Sequence, residues 1–181
     1  FGTMATGGFS THSASVGHFD SAYVDWVIIV FMVLAGTNFA LHYAGLRGQL
    51  QAYLRNGEFL CYLCFLGAGV VLLTAMLAGR TGFAEGLRQA AFQVVSITTT
   101  TGYTTQDFNV WPVLTRLALL VLMFVGGCAG STGGGMKNIR ILLLLKHAGT
   151  EMRRALHPQA VIPVRLGRRA VKDRVVQSVL G

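Results

Sequence analysis

The stretch "SITTTTGYTTQDF", Ser96 to Phe108, lies between two apolar runs that are each long enough to cross a bilayer. Six threonines, one glycine and one tyrosine in that place favour neither a helix nor a lipid-facing strand. Irregular backbone at membrane depth survives only where it is buried in protein or lines a watery cavity. The reading of the flanks therefore decides what this stretch is for.

Phe59 to Ala78, "FLCYLCFLGAGVVLLTAMLA", is 20 residues without a charge. About 20 apolar residues at 1.5 Å rise span the hydrocarbon core. A second uncharged run covers Leu117 to Met136, and a third, Ala22 to Ala44, is interrupted only by Asp25 near its start. Of the 181 residues 52% are hydrophobic and 12% charged, with a mean hydropathy of +0.55, against roughly 25% charged in soluble domains. A soluble helical core would need a polar face on each helix, and Phe59 to Ala78 has none. The expectation is an all-α membrane protein with three spans.

Of the 15 Lys and Arg, ten lie between Lys137 and Arg174, so this end is expected to face the cytoplasm. Residues Gly79 to Arg88 then lie outside, Arg47 to Glu58 inside, and the amino-terminal segment outside. The net charge of +8 marks the cytoplasmic side or contact with anionic lipid. No basic motif with aromatic interleaving points to nucleic acid. The chain opens on Phe1 with a polar Gly/Thr-rich stretch in place of a basic n-region, so no cleavable signal is expected and the chain reads as a piece of a longer protein.

An internal repeat organises the sequence. "TGGFST" (Thr6 to Thr11) falls on "TTGYTT" (Thr100 to Thr105) at an offset of 94, so Gly8 falls on Gly102 and Phe9 on Tyr103. Without a gap, "AGT" (Ala35 to Thr37) falls on "AGS" (Ala129 to Ser131). A fixed period of this size marks a repeated structural unit. The complete unit reads as apolar span from Phe59, outer loop, short helical segment from about Phe83 to Ile97, threonine loop and second span; the first copy lacks its opening half.

This order fits cation passage. Inward carbonyls and threonine hydroxyls can replace a cation's hydration shell, and glycine permits the positive φ that aims carbonyls at one axis. The helical segment before Thr98 would point its negative C-terminal end at the same place, with Tyr103 and Phe9 wedging the loops from behind. A single copy reads better as an outer loop rich in β-turns; two copies in register reverse that and favour a pore loop.

"GGCAGSTGGG", Gly126 to Gly135, holds six glycines in ten. Glycine costs about 1 kcal/mol relative to alanine in a helix interior, and the 33 residues from Val113 to Leu145 would reach about 50 Å as one helix, beyond the roughly 30 Å core. A break near Gly130 is expected, placing Ser131, Thr132 and free carbonyls beneath the threonine loop as a gate, with Lys137 and Arg140 near its inner end. Two other readings stand beside it. A phosphate loop needs G-x-x-x-x-G-K-[ST], and here Gly130 and Gly135 are followed by Met136, Lys137 and Asn138. Tight helix packing through small residues explains Gly126 to Gly130 well and three consecutive glycines poorly.

Other residues carry less. Cys61 and Cys64 form C-x-x-C inside an apolar span with no flanking His or second pair, which reads as ordinary buried thiols, and Cys128 is solitary. His12 and His18 could be solvated or bind a metal, and with no carboxylate array nearby solvation is favoured; Arg116 reads as snorkelling from the outer end of its span. Asp20, Asp25 and Asp107 are expected to raise the local cation concentration at the outer mouth. No nucleophile, base and oxyanion set stands out, so no enzyme is expected.

"SITTTTGYTTQDFNVWP", "GGCAGSTGGGMKNIRILLLLK" and "LHPQAVIPVRLGRRAV" together resemble the Trk-type potassium uptake transporters of bacteria, within the wider Trk/Ktr/HKT superfamily. The resemblance implies four M1-P-M2 units (helix, re-entrant pore helix with filter loop, helix) around one pore. Phe1 to Gly48 would be the end of the second unit, Gln49 to Lys146 the third, and His147 to Gly181 a basic cytoplasmic linker to the fourth. The filter residues would be Ala5, Thr6, Gly7, Gly8 and Phe9 with Thr99, Thr100, Thr101, Gly102 and Tyr103, holding K+ at Thr6, Gly7, Thr100 and Thr101. The gate would comprise Gly126, Gly127, Gly130, Ser131, Thr132, Gly133, Gly134, Gly135 and Lys137.

The resemblance also implies multi-pass insertion in the inner membrane, a homodimer of the full-length protein, a cytoplasmic nucleotide-binding regulatory subunit and no organic cofactor. Uptake would be channel-like or ion-coupled, as in a symporter. With two filter loops the chain closes no four-sided pore and is expected to conduct nothing alone. The alternatives are a membrane scaffold or receptor fragment whose small residues serve packing, and a membrane ATPase subunit, for which the phosphate loop is missing.

Overall fold

The computed structural model describes residues 1–156, 165–166 and 169–170. After the first threonine loop and a short 3-10 turn at Ser15–Phe19, α1 runs over Ala22–Ala35 and α2 over Phe39–Leu46. The apolar run expected as one span is thus two helices, bent by 101°. The cause lies in Gly36, Thr37 and Asn38. Thr37 Oγ1 donates back to the Val33 carbonyl at 2.9 Å, and Asn38 caps a new helix by accepting from Ala40 N at 2.8 Å. The carbonyls freed by the break find partners elsewhere: His42 Nε2 lies 2.9 Å from Leu34 O, and Ala35 O and Gly36 O accept from Thr132 N and Cys128 N.

After the short α3 (Gln51–Arg55), α4 covers Gly57–Thr81. Asn56 caps it, accepting from Glu58 N and Phe59 N at 3.0 Å each. Its 25 residues reach about 37 Å, and among the described residues it is the one helix long and apolar enough to cross a membrane unaided; α1 and α2 pass that test as a pair. Leu73 is fully buried while Val71 beside it is 70% exposed, so the outward face is as apolar as the inward one. That pattern suits lipid or further apolar protein.

Gly82, at φ +83°, turns the chain from α4 back into α5 (Phe83–Thr98). At 16 residues and about 24 Å, α5 is too short to cross, as the re-entrant reading requires. Residues Gln89 to Ser96 are all buried, packed among α1, α4 and α6. Phe92 and Val94 of α5, Met32 of α1, and Tyr62 and Leu77 of α4 form the centre of the core.

The second glycine-containing span is α6 (Val113–Leu122) followed, after a loop, by α7 (Asn138–Leu156). The break begins at Met123, earlier than expected. The last turn of α6 tightens into 3-10 bonds, Phe124 N to Val121 O at 3.2 Å and Val125 N to Leu122 O at 3.0 Å. The chain then closes on itself, with Gly126 N donating to Met136 O at 2.9 Å and Asn138 N to Gly127 O at 3.2 Å. A buried Asn138 side chain seals the neck through its Nδ2 bond to Gly126 O at 2.8 Å.

α7 continues past the unit boundary expected at Lys146. Most of the linker motif "LHPQAVIPVRLGRRAV" lies outside the described residues; of it, β1 (Arg165–Leu166) pairs antiparallel with β2 (Arg169–Ala170). A ladder of two residues a side leaves the fold all-α.

Candidate functional site: two threonine loops over a glycine-rich loop

The internal repeat is visible in the backbone. Thr6, Gly8, Thr100 and Gly102 all have positive φ, at +49, +64, +57 and +82°, so the left-handed residues of the two loops occupy matching positions at the offset of 94. In a strand successive peptide planes face opposite sides. A left-handed residue at every second position turns them back toward one side, and a threonine there costs about 1–3 kcal/mol.

Those peptide planes are unspent. Among the described residues, the carbonyl oxygens of Thr6, Gly7 and Gly8 and of Thr99, Thr100, Thr101 and Gly102 accept no hydrogen bond. More than nine in ten buried backbone carbonyls are paired, so the free ones of the buried Thr99 and Thr101 are unusual, and with the five partly or fully exposed ones they form an acceptor array on two matching loops. The array stops at Tyr103, whose carbonyl accepts from Ser96 Oγ at 2.6 Å. Of the remaining expected filter residues, Ala5 O accepts from Thr6 Oγ1 at 2.8 Å and Phe9 O from Tyr103 Oη at 3.3 Å.

The threonine hydroxyls are not part of that array, contrary to the expectation that they would face inward as ligands. Thr99 Oγ1 donates to Val95 O at 2.7 Å and pairs with Thr101 Oγ1 at 2.8 Å. Thr100 Oγ1 accepts from Gly134 N at 2.6 Å, and Thr6 Oγ1 lies 3.0 Å from Thr132 O. Each is consumed in bracing the loop. Of the two expected wedges, Tyr103 is buried to 8% exposure, whereas Phe9 is 86% exposed.

The two loops abut. A Cβ on Gly8 would fall inside the radius of the Thr101 carbonyl oxygen, so that position admits only glycine twice over, by φ and by space. Gly17 N donates to Thr104 O at 3.1 Å, and Thr104 N to Ser15 Oγ at 3.3 Å.

The loop Gly126 to Gly135 lies against both. Thr132 Oγ1 is within reach of Met4 O at 3.0 Å and Ala35 O at 3.2 Å, and Gly133 and Gly134 pack closely on Thr99 and Thr100, where a Cβ would lie 3.1 Å from Thr99 O and 3.2 Å from Thr100 Oγ1. Ser131 Oγ donates to Cys128 O at 2.6 Å, Gly130 at φ +75° faces the Asn38 side chain, and Lys137 Nζ donates to Gly133 O. Arg140 is exposed on α7. Every residue expected in the gate thus belongs to one loop touching the threonine loops.

Sequence reasoning missed several residues that hold this site. Glu58 accepts from Ala129 N at 2.5 Å; a lone carboxylate at the start of an apolar span was the available signal. Ser96, Asn38 and Asn138 anchor the three loops by the bonds given above. Asp25, expected to attract cations by its field, is 7% exposed and paired with Arg88 at 3.3 Å. Asp20 and Asp107 are exposed, Asp107 capping its own turn through Asn109 N at 2.9 Å.

The remaining expectations are simply located. His12 and His18 stack at 3.7 Å between ring centroids. Cys61, Cys64 and Cys128 carry free thiols, and among the described residues no group of His, Cys, Asp and Glu could hold a metal ion. Arg116 borders a cavity of about 600 Å³ beside Thr100, Gly102 and Tyr103, on the open side of the second loop.

Comparison with known proteins bears on this geometry. The family described as "TrkH: Cation transport protein" matches residues 1–181. The chain is 44% identical over 185 residues to the Trk system potassium uptake protein TrkH of Escherichia coli K12, covering 100% of this chain and 38% of that protein. It is 36% identical to TrkG of the same organism over 98% of this chain and 37% of that one. The crystal structure of the potassium transporter TrkH from Vibrio parahaemolyticus superposes with a TM-score of 0.94 at 40% identity, over 99% of this chain and 40% of the other. The chain therefore spans about two-fifths of the length of these relatives.

Proposed function

Because this chain belongs to the TrkH family of cation transport proteins, we propose that it supplies two of the filter loops and the gate of a potassium uptake protein. The observation that carries this reading is the set of seven free carbonyls on two loops with left-handed residues at matching positions. Carbonyl oxygens held at fixed spacing replace the hydration shell of K+. The threonine hydroxyls fix that spacing from behind, and the C-terminal end of α5 adds its partial negative charge. Ions would bind at Thr6, Gly7, Thr100 and Thr101, with Ala5, Phe9 and Tyr103 supporting the loops.

In the same reading the loop Gly126 to Gly135 is the gate. It fills the space under the filter and brings the Lys137 ammonium to Gly133, where its charge opposes a descending cation. The chain's units would be 1–48, 49–146 and 147–181, and the remaining units of the same polypeptide would complete the ring, one of them against the cavity beside Arg116. The bilayer would be the bacterial inner membrane, with a homodimer of the full-length protein and a cytoplasmic nucleotide-binding regulatory subunit as partners.

The test is K+ and Na+ uptake by the full-length parent carrying Gly102→Ser, in cells lacking other potassium transporters, with membrane abundance measured. Gly102 has open space around its Cα and φ +82°, so the substitution strains the carbonyl array without a clash. Relaxed K+ preference at normal abundance is expected; unchanged preference would return the loop to an outer turn.

A further inference from the structure

The junction between the two repeats contains a charge cluster at its outer end that ion conduction does not use. Asp25 lies in the first turn of α1, directly after the segment that leaves the first filter loop. Arg88 lies in the second turn of α5, the helix whose far end carries the second filter loop. Arg88 Nη1 is 3.3 Å from Asp25 Oδ2, and its Nη2 donates to both oxygens of Glu85 at 2.8 Å. Gln89 Nε2 in turn donates to Glu85 Oε1 at 2.6 Å. The side chains of Arg88 and Asp25 are only 20% and 10% exposed.

The cluster faces a polar cavity of about 30 Å³ that also reaches Asp20, Gly17, Thr105 and Gln106. Thr105 follows Thr104, which carries the backbone bonds between the loops, and Gln106 O accepts from Gln93 Nε2 of α5 at 3.4 Å. The charges therefore sit beside the strand of chain that leaves the second filter loop. They join α1, which follows the first loop, to α5, which leads into the second.

Resting on the reading of the loops as a filter, we infer that Asp25 and Arg88 are positioning residues that set the register between the two filter loops and so the K+ over Na+ preference. A buried ion pair is a weak source of stability, and its best attested use is to specify register. Glu85 occupies Nη2 alone, which leaves Nη1 for Asp25, so one guanidinium bridges α5 and α1. The repeat itself marks this contact as special. Shifted by 94, Asp25 becomes Leu119, so the brace is not repeated on the corresponding helix, α6.

The experiment uses the full-length parent in cells deficient in potassium transport and reads K+ and Na+ uptake per transporter in the membrane. Asp25→Asn and Arg88→Gln are each expected to lower K+ over Na+ preference about tenfold, or about 1.4 kcal/mol. Arg88→Lys, which keeps the charge and loses the fork, should fall between them and wild type; it also reads the effect if a neutral variant fails to insert. Leu73→Ala, in the core of α4, should lower abundance and leave the preference unchanged. Unaltered preference in all three charge variants, while Gly102→Ser still relaxes it, overturns the brace alone. Unaltered preference in Gly102→Ser as well overturns the filter reading beneath it.

Discussion

Two helices of this chain break at matching positions and do so differently. The gap after α1 takes residues 36–38, and the gap after α6 takes residues 123–137. Gly36 and Gly130 correspond at the offset of 94, but Gly126 and Gly127 replace Met32 and Val33, and Gly133, Gly134 and Gly135 replace Phe39, Ala40 and Leu41. One glycine followed by a capping asparagine makes a corner, because the apolar neighbours restart the helix at once. Six glycines remove both the packing side chains and the helix propensity over ten residues, and the corner grows into a loop that packs against the threonine loops. The same repeat thus yields a bend in one copy and a long glycine-rich loop in the other.

The most damaging way to probe this comparison is at the glycines of the two threonine loops. Gly8→Ala meets both a positive φ and the Thr101 carbonyl, whereas Gly102→Ala meets only the φ, worth about 1–2 kcal/mol. Gly8→Ala should abolish K+ preference and cut membrane abundance, and Gly102→Ala should relax preference at near-normal abundance. Equal effects in uptake assays would mean that the two loops do not abut.

The next test separates the two breaks. Gly36 has an ordinary φ of −75°, and an added Cβ meets the Tyr62 hydroxyl; Gly130 has φ +75°. Gly36→Ala should therefore recover part of its lost thermal stability in detergent when combined with Tyr62→Phe, and Gly130→Ala should not. The smallest effect belongs to Asn56→Ala, which removes the cap of α4 at about 1 kcal/mol. It should lower the unfolding temperature and leave K+ over Na+ preference unchanged, since α4 carries no part of either loop.

The sequence made much of this legible because membrane spans and repeats are strong signals. An uncharged run announced α4, and the matched glycines at 8 and 102 announced two equivalent loops. What it hid depends on contacts between distant segments. Gly36 and the capping Asn38 lie within Ala22 to Ala44, but they do not by themselves show that the run turns by 101°, since the broken end is also satisfied by Cys128 and Thr132. The threonines suggested hydroxyl ligands, but their hydroxyls reach backbone and neighbouring side chains already within range. Asp25 looked like a free surface charge until α5, some sixty residues on, brought Arg88 to it.

The break in α1 has a consequence for how the protein is made. Thr132 lies 97 residues after Ala35, whose carbonyl it serves, and an unpaired backbone group in hydrocarbon costs several kcal/mol. While the chain emerges from the ribosome, the corner at Gly36 cannot rest in lipid with its carbonyls bare. Until Cys128 and Thr132 have been synthesised, that stretch has to stay wound as one helix or remain where water can reach it. Closure of the corner after α1 is therefore timed by the arrival of the loop after α6.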